Sequence, residues 1–482
     1  MAHTVAKTSL DFHPDLPVEI EFDAPHISSD GGALLLAQLD DRLGLCDAVA
    51  SFVPDERDPS LIEHRRVEQL RQRVFGLMLG YDDQNDATHR RIDPVFKAAC
   101  RKLPDGAHLS SQPTLSLFDN AVGDEAVTKM RDLLEFDWIR RLDDDRQVVV
   151  LDVDSSGFKA HGQQEMVAFN GYFDAHSFHP LMVYDGQSGQ LVSVRLRPGD
   201  ASDGADAEVD LERIIRRLKL MRPDIAVVVR ADAGFAKPDV YRTLEDLDER
   251  FGQVGYLIGI SKNSAFERKL NASMQQAATR FEKTGKKSRT FADFAHTAHS
   301  WKRARHVIGK AEVGTRGKNP RFLITNLDQF SPRVLYRAYC QRGQAENLVK
   351  SFKNHLSADR LSCSAAQANC FRLIMCQLAY RLMLALKQKL VEVVDRVADD
   401  GHIDETPSGD EPTDEAKQDT DFIGLISRLA RAQFDTLRLL LLKVAAVVDQ
   451  STRRIHVRMP HSFASAPVFA RLAAELKRPP PD

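Results

Sequence analysis

Past residue 145 the chain reads as short β-branched runs alternating with helical stretches. QVVVLDVDSSG is a continuous apolar run that ends in acid and glycine, the composition of a buried strand. HPLMVYD and QLVSVRLRPGD follow as two more strands joined by a turn, DGQSGQ. AEVDLERIIRRLKLM has helical spacing, DIAVVVRADAGF is another buried strand, KPDVYRTLEDL is a helix, and VGYLIGISKN is a further strand. The order β-β-β-α-β-α-β predicts an α/β core, a mixed sheet flanked by helices.

On either side of this core the pattern is helical. Residues 1 to 30 alternate weakly and read as extended; Gly31 and Gly32 then open the apolar helix ALLLAQLDDRLGLCDAVASFV. A second helix is expected from Pro59 to Gly80. It would have Leu61, Val67, Leu70, Val74, Leu77 and Met78 on one face, and His64, Arg65, Arg66, Arg71 and Arg73 around the rest. The arginines are candidate phosphate contacts. Beyond the core, SCSAAQANCFRLIMCQLAYRLMLALKQKLVEVV should cover the sheet, and FIGLISRLARAQFDTLRLLLLKVAAVV reads as a last long helix before a basic piece, STRRIHVRMP, and a proline-rich end.

Charge divides the chain further. The net charge of -3 hides segregation. Residues 262–321 carry 15 Lys and Arg against 4 acids, whereas residues 398–421 carry 10 acids against one lysine. The basic block contains FADFAHTAH and RARHVIGKAEV, whose alternation predicts antiparallel strands, and it precedes the core-like strand FLITNL. The expected organisation is a mainly helical DNA-binding region over 1–145, a first core part over 146–261, and a basic β-rich insertion over 262–321. A second core part follows over 322–397, then an acidic flexible linker over 398–421 and a C-terminal helix with a basic tail over 422–482. The six cysteines form no CxxC pair, no apolar run reaches ~18 residues, and the N-terminus has no apolar signal core. A cytoplasmic protein without a membrane partner is expected.

The candidate chemistry sits on three carboxylates. Asp154 closes one buried strand and Asp232 follows another, positions where open α/β sheets place functional side chains. Asp152, two residues earlier, projects to the same side as Asp154 and is an alternative ligand. The third is Glu346, in YCQRGQAENLVKSFK. There Tyr339, Arg342, Glu346, Lys350 and Lys353 recur at intervals of three or four and predict one polar stripe on a single helix, opposite Cys340, Ala345, Leu348 and Phe352. Three such carboxylates are the donor set that two hard divalent ions require for phosphodiester chemistry. The competing reading is a solvated helix whose charges pair at i,i+4, Glu346 with Lys350. His296, His299 and His306 lack a fourth ligand and do not read as a metal site.

These residues match Y-x2-R-x3-E-x6-K without a gap, and the chain resembles the bacterial DDE transposases that carry this signature. LDVDSSG, LRPGD, VRADAGF, RGQAENLVKSFKNHLSADRLSC and NCFRLIMCQLAYRL resemble most the insertion sequence 1380 family, over roughly residues 25–465. The resemblance implies an RNase H-like core and cut-and-paste movement of a DNA element by hydrolysis and strand transfer at terminal inverted repeats. It implies Asp154, Asp232 and Glu346 as the catalytic, metal-binding triad, with two Mg2+ ions that Mn2+ can replace. Tyr339, Arg342 and Lys353 would be phosphate contacts, with Lys350 beside them, and Trp301 an aromatic for base stacking in the insertion. Double-stranded DNA is the implied partner, and a homodimer the implied synaptic assembly in a bacterial cytoplasm. Leu117 in SLFDN stands where a basic residue is expected, and the acidic stretch after Ala398 is longer than the pattern. Two alternatives remain: a catalytically inactive DNA-binding regulator derived from a transposase, and a stand-alone magnesium-dependent RNase H-like nuclease.

Overall fold

The computed structural model describes residues 8–10, 12, 14–16, 18–24, 26–400 and 414–477. The chain forms two compact units. One comprises Met1–Ser51, Asp55–Phe118 and Leu382–Asp482; the other comprises Phe52–Pro54 and Asp119–Arg381.

The second unit is built on one mixed sheet of nine strands among the described residues, eight in one continuous order and the two-residue strand Gly317–Lys318 beside them. In chain order it uses β1 (Val148–Ser155), β2 (Leu181–Asp185), β3 (Leu191–Arg195), helix α1 (Ala207–Met221), β4 (Ala226–Ala231), helix α2 (Pro238–Phe251) and β5 (Val254–Ile260). Helix α3 (Ser264–Thr284), β6 (Ser288–His296), β7 (Arg305–Gly314) and β8 (Arg321–Thr325) follow, then α4 (Pro332–Cys340), α5 (Gly343–Lys350) and α6 (Ala366–Asp400). The first five strands lie in the order β3-β2-β1-β4-β5, with β1, β4 and β5 parallel and β2 antiparallel to both neighbours. Strands β8, β7 and β6 extend the sheet beyond β5, so the basic segment is an edge of the main sheet. The alternating stretches expected as antiparallel strands are β6 and β7, and the segment also opens with the 21-residue helix α3, which was not expected.

Alternation in the strands decides which side chains reach which face. Val149, Leu151 and Val153 of β1 and Val227, Val229 and Ala231 of β4 pack in one apolar cluster with Leu211, Ile214, Ile215 and Leu218 of α1 and Val240, Tyr241 and Leu244 of α2. Asp152 and Asp154 must therefore emerge on the opposite face. At the far edge Gln377 of α6 donates to the carbonyls of Leu191 and Val192, both at 3.0 Å, which satisfies open backbone acceptors of the edge strand β3.

The other unit is mainly helical and carries a three-stranded sheet of Ile27–Ser28, Ala446–Gln450 and Ile455–Arg458. Four expectations change here. Leu61 lies in a short 3-10 turn and is exposed, because the helix starts only at Arg66. Arg71 and Arg73 are buried, and Arg71 is held by Asp40 and Asp47, so neither is available to a phosphate. The expected last helix is interrupted: Asp414–Arg431 is helical, a second short helical stretch runs from Phe434 to Leu442, and Ala446–Gln450 is a strand. A further helix, Ala466–Glu475, forms in the region read as a proline-rich end. Of the acidic stretch 398–421, residues 401–413 lie outside the described residues, and the helix from Asp414 takes up its end.

Candidate active site

Strands β1 and β4 are parallel neighbours with Val153 opposite Ala231, so the next positions, Asp154 and Asp232, leave the sheet side by side. Asp232 turns out of the strand as the cap of a 3-10 turn, and its Oδ1 accepts the Gly234 amide at 2.8 Å. Asp154 accepts the Ser155 amide at 2.9 Å. Facing both is Arg342. One of its terminal nitrogens lies 3.6 Å from Asp154 Oδ2 and 3.4 Å from Asp232 Oδ2, so a single cationic nitrogen sits between the two carboxylates.

Arg342 can occupy that place because the stripe is not on one helix. Helix α4 ends at Cys340, Gln341 and Arg342 form a turn, and α5 restarts at Gly343 before a π-turn over Ser351–His355. Arg230 sets this break. It makes a bidentate pair with Asp152, both bonds at 2.7 Å, and donates to the Ala338 carbonyl at 2.8 Å. Asp152 is fully buried in that pair, so in this structure it is a partner of Arg230. Ala345, Val349 and Phe352 bury the inner face of α5 and its extension, while Cys340 is exposed, contrary to expectation.

Glu346 stands exposed one turn after Arg342 and makes no ion pair with Lys350 among the described residues. It nonetheless acts on Asp154. Burial raises the Asp154 carboxyl to about 6; Arg342 and the Ser155 amide oppose the rise, and the negative charges of Asp232 and Glu346 add to it. The Tyr339 hydroxyl lies beside Asp232, over Gly259, where any β-carbon would come within 2.6 Å of it. Burial raises the Tyr339 hydroxyl, opposed by Arg342. Lys353 donates to the Gly157 carbonyl at 2.6 Å and lies 5.4 Å from the centre of the Phe158 ring; burial lowers its ammonium.

A family model for the transposase DDE domain group 1 matches residues 11–397 of this sequence. The chain belongs to that family. No curated protein matches this transposase DDE chain. Among solved structures it is similar to a cryo-EM piggyBac transposase synaptic complex with hairpin DNA, at 11% identity and a TM-score of 0.39, over 90% of this chain and 84% of that one.

Not every expected residue of this DDE domain joins the cluster. Trp301 lies in the turn between β6 and β7. The pairings His296 with Arg305, His306 with Thr325 and Thr325 with Leu257 put that turn at the end of the sheet where β5 begins, opposite the end that carries Asp154 and Asp232. Its ring packs on Tyr241, His296 and Arg305. Among the described residues no three His, Cys, Asp or Glu side chains close into a metal-ligating group. No helix of the described residues is long and apolar enough to cross a membrane.

Two residues escaped the sequence reading. Asp203 accepts the Ser155 hydroxyl at 2.9 Å, lies 3.3 Å from His179 Nε2 and packs against Gly234. It thus touches the neighbours of both aspartates. The contact with His179 lowers its carboxyl. Buried Arg197 holds this loop by donating to the carbonyls of Ser202, Asp203 and Ala205. In sequence, ASDGAD looks like any acidic turn; only the crossing of this loop over both strand ends distinguishes Asp203.

Proposed function

We propose that this protein is a DNA transposase that moves an insertion sequence by cleavage and strand transfer at terminal inverted repeats. The observation that carries the reading is the Asp154–Arg342–Asp232 constellation at adjacent parallel strand ends, with Glu346 one turn beyond, in a chain of the transposase DDE family. The strand order β3-β2-β1-β4-β5 with β2 reversed supports an RNase H-like core.

Transposase DDE domains use divalent metals, and although no three carboxylates close into a ligating group among the described residues, the donor types here suit a hard cation. They are carboxylate oxygens only, a cationic nitrogen is already drawn between two of them, and Asp154 is raised by its burial and its acidic neighbours. Asp154, Asp232 and Glu346 would hold two Mg2+ ions, with Mn2+ able to replace them; such ions supply an activated water and stabilise the leaving oxygen. The remaining chemistry belongs to the chain. Arg342 is the switchable cation: a DNA phosphate competes with the aspartates for its guanidinium and, on binding it, frees the two carboxylates. Tyr339, Lys350 and Lys353 neutralise and orient the same strand. Two copies of the chain hold two element ends for joint cleavage.

The test is incubation of the protein with Mg2+ and duplex DNA ending in the terminal repeats that flank its coding region. Nicking at the repeat boundary is the expected outcome. Specific binding without nicking overturns the enzymatic reading in favour of a regulator, and cleavage confined to RNA–DNA hybrids overturns it in favour of a nuclease.

A further inference from the structure

The outer surface of α1 carries an apolar groove that the carboxylate cluster does not use. The buried side of α1, with Leu211, Ile214, Ile215 and Leu218, packs on the sheet face opposite the one from which Asp154 emerges. Its outer side and the helix Asp124–Arg140 border a groove of about 470 Å3. Phe136, Val209, Leu220 and Met221 line this groove and are between 39% and 66% exposed. One exposed apolar side chain is ordinary; four in one groove rimmed by charge mark an interaction surface.

The charges on this surface divide into two kinds. Arg213 pairs with Asp210 and Glu135; Arg217 pairs with Asp132 and Glu135, and its guanidinium lies 4.4 Å from the centre of the Phe136 ring. These pairs tie the two helices together. Glu212 and Arg216 are exposed, stand one turn apart, and make no hydrogen bond or ion pair among the described residues, even with each other. Val209, Glu212, Arg216 and Leu220 recur at intervals of three or four, so they form one stripe along the outer side of α1. That stripe is complementary to its own reverse. In either direction it runs apolar, charged, charged, apolar, with acid and base exchanged. The pairs Val209 with Leu220 and Glu212 with Arg216 share a centre at Ile214–Ile215. A two-fold axis there would set Val209 of one copy against Leu220 of the other, and Glu212 against Arg216 twice. An acidic occupant would satisfy Arg216 and repel Glu212, and a basic one the converse. An occupant with both charges in reversed order satisfies both, and a second α1 carries them.

We propose that two copies of this chain pair antiparallel through the outer side of α1, before any DNA is bound. The inference deepens the two-copy reading above by assigning the face that pairs; it rests on that reading for its role and not for its geometry. The contact lies behind the sheet, so the carboxylates of both copies stay open to DNA. Apolar burial at Val209, Leu220, Phe136 and Met221 supplies the affinity, and Glu212 and Arg216 set the register and direction.

Sedimentation velocity of the full-length protein without DNA, over a concentration series, tests the pairing. The wild type should pass from monomer to dimer as its concentration rises to tens of micromolar. Glu212→Arg and Arg216→Glu each set like charges against one another at both crossing points and should weaken the dimer about tenfold or more. Mixed one to one, the two variants should recover a dimer of nearly wild-type strength, because every crossing then joins opposite charges. Leu220→Asp should weaken pairing about tenfold. All three side chains are exposed, so these changes do not threaten folding. A wild type that stays monomeric overturns the proposal and leaves the groove to a different protein. Variants that dimerise like the wild type, or a mixture that stays monomeric, overturn it too. Nicking of terminal-repeat DNA by a protein that is monomeric without DNA sinks the α1 contact alone. A dimer rescued by mixing, in a protein that does not nick, supports the contact and sinks the transposase reading alone.

Discussion

Asp154→Asn should make the metal-free protein more stable while abolishing DNA cleavage. In the folded chain the Asp154 carboxyl is raised from 3.8 to about 6, with burial as the largest cause. The fold therefore favours the protonated acid. The stabilising contribution of this group is complete below the unfolded value and is lost as pH rises through the folded one. At about pH 7.5 the ionised wild type carries a penalty of up to ~3 kcal/mol, since each tenfold change in proton affinity is worth roughly 1.4 kcal/mol. Asparagine resembles the neutral acid in shape and escapes that penalty. The raised value already includes the opposing pull of Arg342, so loss of that pair needs no separate correction. At about pH 5 the advantage should shrink to ~1.6 kcal/mol, and near pH 4 it should almost vanish. Urea denaturation in EDTA, followed by tryptophan fluorescence, is a clean assay, because both tryptophans, Trp138 and Trp301, lie in the unit that contains Asp154. Added Mg2+ should then stabilise the wild type and not the variant. A variant less stable than wild type at neutral pH, or a difference that does not change with pH, refutes the electrostatic argument.

Other expectations can be checked alongside. Glu346→Gln should abolish nicking of terminal-repeat DNA and leave end binding nearly intact by gel shift; retained nicking removes Glu346 from the triad. Gly259→Ala should push the Tyr339 hydroxyl away from Asp232 and lower the cleavage rate, with melting temperature as the control for folding. Asp203→Asn keeps an acceptor for Ser155 but removes the charge beside Gly234. It should reduce cleavage at a stability cost of about 1 kcal/mol, and wild-type cleavage would confine Asp203 to holding its loop. Lys286→Ala should reduce the slope of log affinity against log salt by about 0.9 if this end of the basic segment contacts a DNA phosphate. The start of β6, which Lys286 precedes, pairs with Val313 at the same end of the sheet as the carboxylates. The neighbouring Lys287 and Arg289 are already engaged by Glu312.

Local pattern was a good guide wherever one element decides the outcome alone. The runs VVVLDVD and AVVVRA could only be buried strands, and the acids ending them had to emerge where apolar alternation stops. AEVDLERIIRRLKLM became α1 over Ala207–Met221, because its apolar spacing fits one face of a helix on the sheet. Patterning failed where a residue's partner lies far along the chain. The periodicity of Tyr339 to Lys353 suited one straight helix, but Arg230 captures the Ala338 carbonyl and the helix breaks before Arg342. Alternation puts Asp152 and Asp154 on one face, with Asp154 nearer the strand end; Arg230 on the adjacent strand pairs with the first, and the second faces Arg342.

The sequence alone determined the strand ends that carry Asp154 and Asp232, the sheet-and-helix alternation around them, and the residue types of the candidate site. These follow from side-chain periodicity and local conformational preference, which act over a few residues. The tertiary structure decided that the basic segment extends the main sheet, that Trp301 lies at its opposite end, and that Asp203 crosses both strand ends. It also decided that the Ser177 hydroxyl and the Gln164 amide oxygen are buried without a partner. Those outcomes depend on register, ion pairing and burial between residues tens to hundreds of positions apart, and no local pattern encodes them.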